Sequence, residues 1–361
     1  MDDSRDDSRD DSPDGSCGSY EDFDEDFDED FEDRPADPRD PGDTFLPQEA
    51  VYRSDLGGDH RERFAGLPVR SIEEKVPGRP DQVAWLVTDE TGFGFADDKD
   101  ATELATELDL LFRQVNPAQV TALAVTGHGA VNAPLLLARH AKRLTRLRSV
   151  FLGFIEPEHW EISWIRHGDI TPLLEAYPKL ERLEVRGSQG LRLRPVTHEH
   201  LRVLRFESGG LPGSVVRAVG AGTFPALEHL ELWLGVEQYG GDSTAADLDG
   251  ILSGTGLPAL KRLGLRDGER MDEVAAAVAT APVVARLEEL SLGMGTLTDR
   301  GAEALLSGQP LSHLRVLDLR HHFLGDDMVR RVRNALPGVT VDLAEQWRPE
   351  DDGWMYVAVS E

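Results

Sequence analysis

Two histidine pairs, His198-Glu-His200 and His321-His322, are the first place to look for chemistry in this chain. Close imidazoles can begin a metal site, but such a site needs a third and fourth ligand at suitable spacing. Neither pair has a cysteine nearby, and the two rings of each diverge in a strand or loop. A structural or solvated role is expected for both. Trp85 and Val87 precede Gly92-Phe-Gly94 and then a helix, the order of a dinucleotide loop. The third glycine position holds Asp97, with Asp98 and Asp100 behind it. Carboxylates where a pyrophosphate should sit argue against nucleotide binding. Glu156, Glu158 and His159 offer acid–base groups in one loop, the basis of a hydrolase reading that ranks last. The patterns G-x-S-x-G, H-E-x-x-H and the P-loop are absent from the sequence. No catalytic residue, cofactor or metal is therefore expected.

The side chains of this protein are positioned by a repeat. Leu314-Arg-Val-Leu317-Asp-Leu319 reads L-x-x-L-x-L, and copies begin at Val120, Leu147, Leu180, Leu201, Leu227, Leu260 and Leu287, with a degenerate one at Leu336. First positions lie 27, 33, 21, 26, 33, 27, 27 and 22 residues apart. The fourth and sixth positions are two apart and share one face of a strand. The remaining residues suffice for a turn, a helix and a return loop, so a right-handed crossover lays each strand parallel to the last. One repeat cannot bury its apolar face alone, so neighbours must stack.

A period in the twenties on this motif resembles the leucine-rich-repeat superfamily in its ribonuclease-inhibitor-like form, and within it a bacterial family of such proteins. The resemblance covers roughly residues 60 to 361. It implies an α/β solenoid: a curved parallel sheet inside, helices outside, a β–α horseshoe with capped ends. One departure stands out. The usual Asn or Cys three residues after the last strand leucine is replaced by His128, Ile155, Ser188, Gly209, Gly235, Gly268, Gly295 and His322. Glycine loops or ordered water must then stand in for the missing polar ladder.

Residues at the third, fifth and seventh motif positions point away from the leucines. Adjacent strands lie about 4.8 Å apart, so Glu184, Arg205 and Glu231 form a row of alternating sign. Arg186 and Glu207 start a second row, followed by Trp233 and Arg266. Exposed ion pairs are worth only about 0–1 kcal/mol, so a solvated, self-neutralised face is one reading. Trp and Arg are also enriched at binding hot spots. The expected partner surface is therefore Trp233, Arg266, Arg205, Glu207, Arg186, Glu231 and Phe151. It is joined by Trp160, Trp164 and Tyr239, which sit on the insertions of the two 33-residue repeats.

Composition limits the choice further. The formal charge is −29, of which residues 1 to 45 carry −16 from 20 acidic and 4 basic side chains. That excess excludes nucleic acid as a natural partner. It also predicts a disordered acidic tail, in which Phe23, Phe27 and Phe31 are the only docking candidates. Cys17 is the single cysteine and cannot form an internal disulfide. No signal peptide and no apolar run long enough for a membrane is seen, so a cytoplasmic setting is expected. Four parts follow: a tail over 1–45, a linker and cap over 46–118, repeats over 119–345, and a C-terminal cap strand over 346–361 in which Trp354 to Val359 alternates. The expected function is a non-catalytic scaffold for a protein or peptide. The alternative is an accessory subunit that positions a substrate for a modifying enzyme.

Overall fold

Leucines at the fourth motif position line up across the sheet. The register pairs Leu183 with Leu204, then Leu230, Leu263, Leu290 and Leu317. Trp85, Leu123 and Val150 extend the row to one side and Val341 to the other. From Trp85 to Leu317 every member is at most 1% exposed. This is a single apolar seam built from one residue per strand, as the spacing requires.

The computed structural model describes residues 63–73, 79–87, 99–126, 131–154 and 161–360. The acidic tail with Cys17, Phe23, Phe27 and Phe31, the Gly92-Phe-Gly94 loop, and Glu156, Glu158, His159 and Trp160 lie outside the described residues.

The strands are β1 (Arg63–Phe64), β2 (Leu67–Ser71), β3 (Ala84–Val87), β4 (Ala122–Val125), β5 (Ser149–Leu152) and β6 (Arg182–Arg186). They continue with β7 (Val203–Glu207), β8 (His229–Gly235), β9 (Arg262–Gly268), β10 (Glu289–Ser291), β11 (Val316–Asp318) and β12 (Thr340–Asp342). All pair in sequence order in one sheet. Only β1 and β2 are antiparallel. Their turn places Ala65 and Gly66 at φ 51° and 75°, the two positive angles of a tight hairpin turn.

The helices are α1 (Lys99–Gln114), α2 (Ala133–Arg139), α3 (Thr171–Ala176), α4 (Gly213–Ala221), α5 (Asp249–Ser253), α6 (Met271–Val278), α7 (Asp299–Ser307) and α8 (Asp326–Ala335). Local chemistry explains their starts. Proline opens α2 and α3, where its missing N–H costs nothing. Acidic side chains sit in the first turns of α6, α7 and α8, against the positive end of the helix dipole. The 21-residue repeat between β6 and β7 has no helix. Backbone bridges from Gln189, Arg192 and Thr197 to neighbouring repeats replace it. Helix α5 was not foreseen. It follows a short turn capped reciprocally by Thr244 and Asp247, a signal the leucine period does not carry.

Glycine takes the place of the family's polar loop residue through close backbone approach. Gly235 has φ 69°, and a Cβ there would come within 2.1 Å of the Gly209 carbonyl oxygen. Gly338 has φ 93° with nothing within 4 Å. Gly235→Ala is therefore expected to cost about 3 kcal/mol, and Gly338→Ala only the roughly 1 kcal/mol of left-handed strain. Thermal unfolding of the two variants checks this. Equal midpoints would show that the Gly209 contact is soft.

The C-terminal segment differs from expectation. Its alternation predicts a strand beside the last repeat, yet the sheet ends at β12. Residues 354–360 are extended chain that turns back over the C-terminal ends of earlier strands. In the observed path Val357 is 7% and Val359 0% exposed.

Candidate functional site

The strand face opposite the leucines carries a continuous chain of charge. Glu184, Arg205 and Glu231 are direct neighbours across β6, β7 and β8, as the motif spacing predicts. Arg182 Nη1 lies 3.0 Å from Glu184, and Arg205 reaches Glu184 at 3.2 Å and Glu231 at 3.0 Å. Arg266 bridges Glu231 at 2.8 Å and Asp318 at 3.3 Å. Arg320 links Asp318 at 3.2 Å to Asp342 at 2.6 Å. The result is eight side chains of alternating sign from β6 to β12, four of each. Ser291 of β10 donates to Asp318 at 2.7 Å and fills the one strand that adds no charge to it. Arg186 and Glu207 form a separate pair, with two hydrogen bonds of 2.6 and 2.8 Å.

The sequence places these groups on an outward, solvent-facing surface; the structure buries them. Trp233, Arg266 and Glu231 are 0% exposed, Arg205 and Glu207 1%, Arg186 3% and Phe151 7%. Among the described residues, two segments pack against this face. Phe64 of the hairpin meets Phe151 edge to face at 5.6 Å, above Ala84, Ala122 and Ala124, whose small side chains leave room for it. Val359 of the C-terminal segment packs with Trp233, Ile162 and Met294. Mutual pairing lets the charges tolerate such burial. Self-neutralisation is thus as expected, and solvation is not.

Burial and charge set the protonation states. Burial would raise the Glu231 carboxyl, but Arg205, the His229 ring 3.4 Å away and Arg266 outweigh it and hold the acid well below its ordinary range. Burial lowers His229, keeping it neutral. Asp267 goes the other way. Its desolvation dominates and pushes the carboxyl well above the usual value, although the amides of Val359 and Ala358 and the charge of Arg266 pull it down.

The C-terminal segment, a strap, is held at matching places in successive repeats. Two residues after the last strand leucine, Asp267, Met294 and His321 have φ 57°, 69° and 52°. Each touches the strap. The Val359 amide donates to Asp267 Oδ1 at 2.9 Å, and the Ala358 amide donates to the Met294 carbonyl at 2.8 Å. His321 Nε2 donates to the Tyr356 carbonyl at 3.1 Å. At the far end Ser163 Oγ donates to the Ser360 carbonyl. Left-handed backbone at non-glycine residues costs about 1–3 kcal/mol each and persists where surroundings enforce it. The sequence search missed Asp267 and Met294, because neither is the glycine that would announce such a position.

Large aromatics on the same rim remain exposed. Trp164 is 52%, Trp347 42% and Trp354 56% exposed, and Tyr239 is partly exposed. Trp347 meets Tyr356 edge to face and Trp354 lies tilted against it, each with ring centroids 5.6 Å apart. One histidine of each pair, His198 and His322, holds backbone groups. His198 Nε2 donates to the Tyr177 carbonyl at 3.0 Å and Nδ1 accepts from Leu201. His322 Nδ1 accepts from the Leu324 amide. Among the described residues no three His, Cys, Asp or Glu converge to hold a metal ion. A polar cavity of about 240 Å³ lies at the start of the strands beside Arg182, Arg202 and His229. It is smaller than the roughly 300–1,000 Å³ of ordinary ligand sites. Among the described residues no helix is long and apolar enough to cross a membrane.

Comparison with solved structures agrees with this architecture. A crystal structure of a Bacteroides fragilis protein is similar over 74% of this chain and 76% of that one, at 26% identity and a TM-score of 0.64. The fold is a leucine-rich-repeat solenoid. Two weaker likenesses are to TLR13 in its complex with ssRNA13 and to a Leptospira interrogans LRR protein. The first has TM-score 0.33 at 16% identity over 74% of this chain and 33% of that one. The second has TM-score 0.29 at 16% identity over 65% and 57%. Nothing about the solenoid's role is carried over from either. No family model and no curated protein matches the chain.

Proposed function

We propose that this solenoid is a non-catalytic scaffold that binds a protein or peptide partner, and that its contact surface is the rim at the C-terminal ends of the strands. The carrying observation is a contrast in exposure: Trp164, Trp347 and Trp354 stand exposed on that rim, while the strand face is paired and covered. Solenoids use extended surfaces of this kind for recognition, and exposed tryptophans are the commonest anchors of such contacts. The strand-face residues Trp233, Arg266, Arg205, Glu231, Arg186 and Glu207 then support the site from below, and Phe151 supports the hairpin.

The test uses partners captured on the immobilised full chain. Trp164→Ala and Trp347→Ala are each expected to weaken binding about 30-fold, the effect of about 2 kcal/mol at a hot spot. Unchanged affinity in both, for every partner found, would remove the rim as the binding surface.

A further inference from the structure

The strap is read mainly through its backbone. Met294 and His321 meet main-chain atoms, and so does Asp267. Side chains are sorted by size, and at Tyr356 by aromatic contact with His321 and Phe323. Val359 fills the space between Trp233, Ile162 and Met294. Gly209 makes room for the chain, since a Cβ there would stand 2.1 Å from the Ser360 carbonyl oxygen. Backbone bonds for affinity and small pockets for specificity are the features of an extended-peptide groove.

The present occupant fits that groove incompletely. Oδ2 of Asp267 is fully buried and has no hydrogen-bond partner among the described residues. Val359, the residue whose amide bonds the other oxygen, offers only methyl groups. A hydroxyl on that residue, turned from the apolar contacts of Val359 toward the carboxyl, would give Oδ2 a partner in either protonation state of the acid, because a hydroxyl both donates and accepts. Threonine has the shape of valine and supplies that hydroxyl. The strap is also tethered through a short turn, in which the Gly353 amide donates to the Glu350 carbonyl and Gly353 has φ 85° with open space around it.

We propose that Asp267, Met294 and His321, floored by Trp233, form a peptide-recognition groove. The chain's own residues 356–360 occupy it as an exchangeable plug, and its partner is an extended peptide reading aromatic, aliphatic, small, then threonine. This deepens the rim-binding reading and rests on it, by naming the partner's chemistry and the segment that competes with it. A tethered occupant acts at an effective concentration in the millimolar range, so a partner must exceed the strap's own fit, and the hydroxyl is what it adds.

The experiment uses the full chain and two synthetic octapeptides. One copies residues 354–361, Trp-Met-Tyr-Val-Ala-Val-Ser-Glu, and the other carries threonine in place of the second valine. Hydrogen exchange is followed at residues 354–361 of the chain. In the unaltered chain the amides of Ala358 and Val359 are expected to be protected at least tenfold. Saturating threonine peptide is expected to abolish that protection, and the valine peptide to bind at least tenfold more weakly. A full chain with Ala358→Pro and Val359→Asp, which releases its own strap, is expected to bind both peptides. Three results overturn the proposal: unprotected strap amides in the unaltered chain, peptide binding that leaves the strap protected, or no binding by the strap-released chain. Each leaves the rim reading intact, because that reading is judged on captured partners and on Trp164 and Trp347.

Discussion

Glu231→Ala is expected to destabilise the solenoid by about 3–5 kcal/mol, the usual effect of removing one partner from a buried ion pair. The side chain is shared by two guanidiniums, Arg205 at 3.0 Å and Arg266 at 2.8 Å, and it also accepts from Trp233 Nε1 at 2.9 Å. Its loss leaves two fully buried cations with one carboxylate each, Glu184 and Asp318. Glu231→Gln keeps the size and an acceptor for Trp233 but not the charge, and should fall between. Replacing Arg205, Glu231 and Arg266 together by Met, Leu and Met should recover only part of the loss, because it leaves Glu184 to Arg182, Asp318 to Arg320 and Trp233 Nε1 without its acceptor. Urea unfolding of the three proteins orders them. A cost below about 1 kcal/mol for Glu231→Ala, the value of an exposed pair, would mean that the face is wet.

The second large effect is on acidification. His167 is buried, donates from Nε2 to the Arg186 carbonyl at 2.6 Å, and has no partner at Nδ1 among the described residues. Burial lowers it from 6.5 to about 4, with the Arg186 hydrogen bond only partly opposing. The folded value lies below the unfolded one, so the full stabilisation is present above pH 6.5. It is lost progressively as the pH falls toward 4. Each unit of difference is worth about 1.4 kcal/mol, so the loss is about 3 kcal/mol. Burial lowers His198, His229 and His322 as well, and they act in the same direction. Asp267 runs opposite, since its raised value favours the docked state at low pH. His167→Gln, which retains a donor, should reduce by about 3 kcal/mol the fall in unfolding free energy between pH 7 and 4, read from urea titrations. An unchanged slope would show that His167 is hydrated.

The leucine period made the interior legible in detail. It located β4 to β12, fixed their order, and predicted that Glu184, Arg205 and Glu231 would be neighbours. Those properties are local, because side chains alternate with period two and neighbouring repeats stack. Exposure is not local. Whether Trp233 faces water depends on Val359, far along the chain, and on where that segment turns after Asp342. The alternation of Trp354 to Val359 fits a strand and an extended strap equally well, so pattern alone could not choose. Trp347 and Trp354 belong to the same C-terminal stretch, and their exposure follows from the path it takes. The left-handed column was hidden by residue type, since Asp267, Met294 and His321 carry no backbone signature in the sequence.

The alternating charges have an arithmetic consequence for how this protein can change length. The leucine seam alone would accept the loss of a unit, because every repeat offers the same residues to its neighbours. The charged face would not. Excising the β7 unit would set Glu184 directly against Glu231, two like charges in a dry interior. Excising β7 and β8 together would set Glu184 beside Gly264 and Arg186 directly against Arg266, again two like charges. In this stretch, then, neither the loss of one unit nor the loss of two keeps opposite signs together, so the charged face fixes a repeat number to which the leucine framework is indifferent.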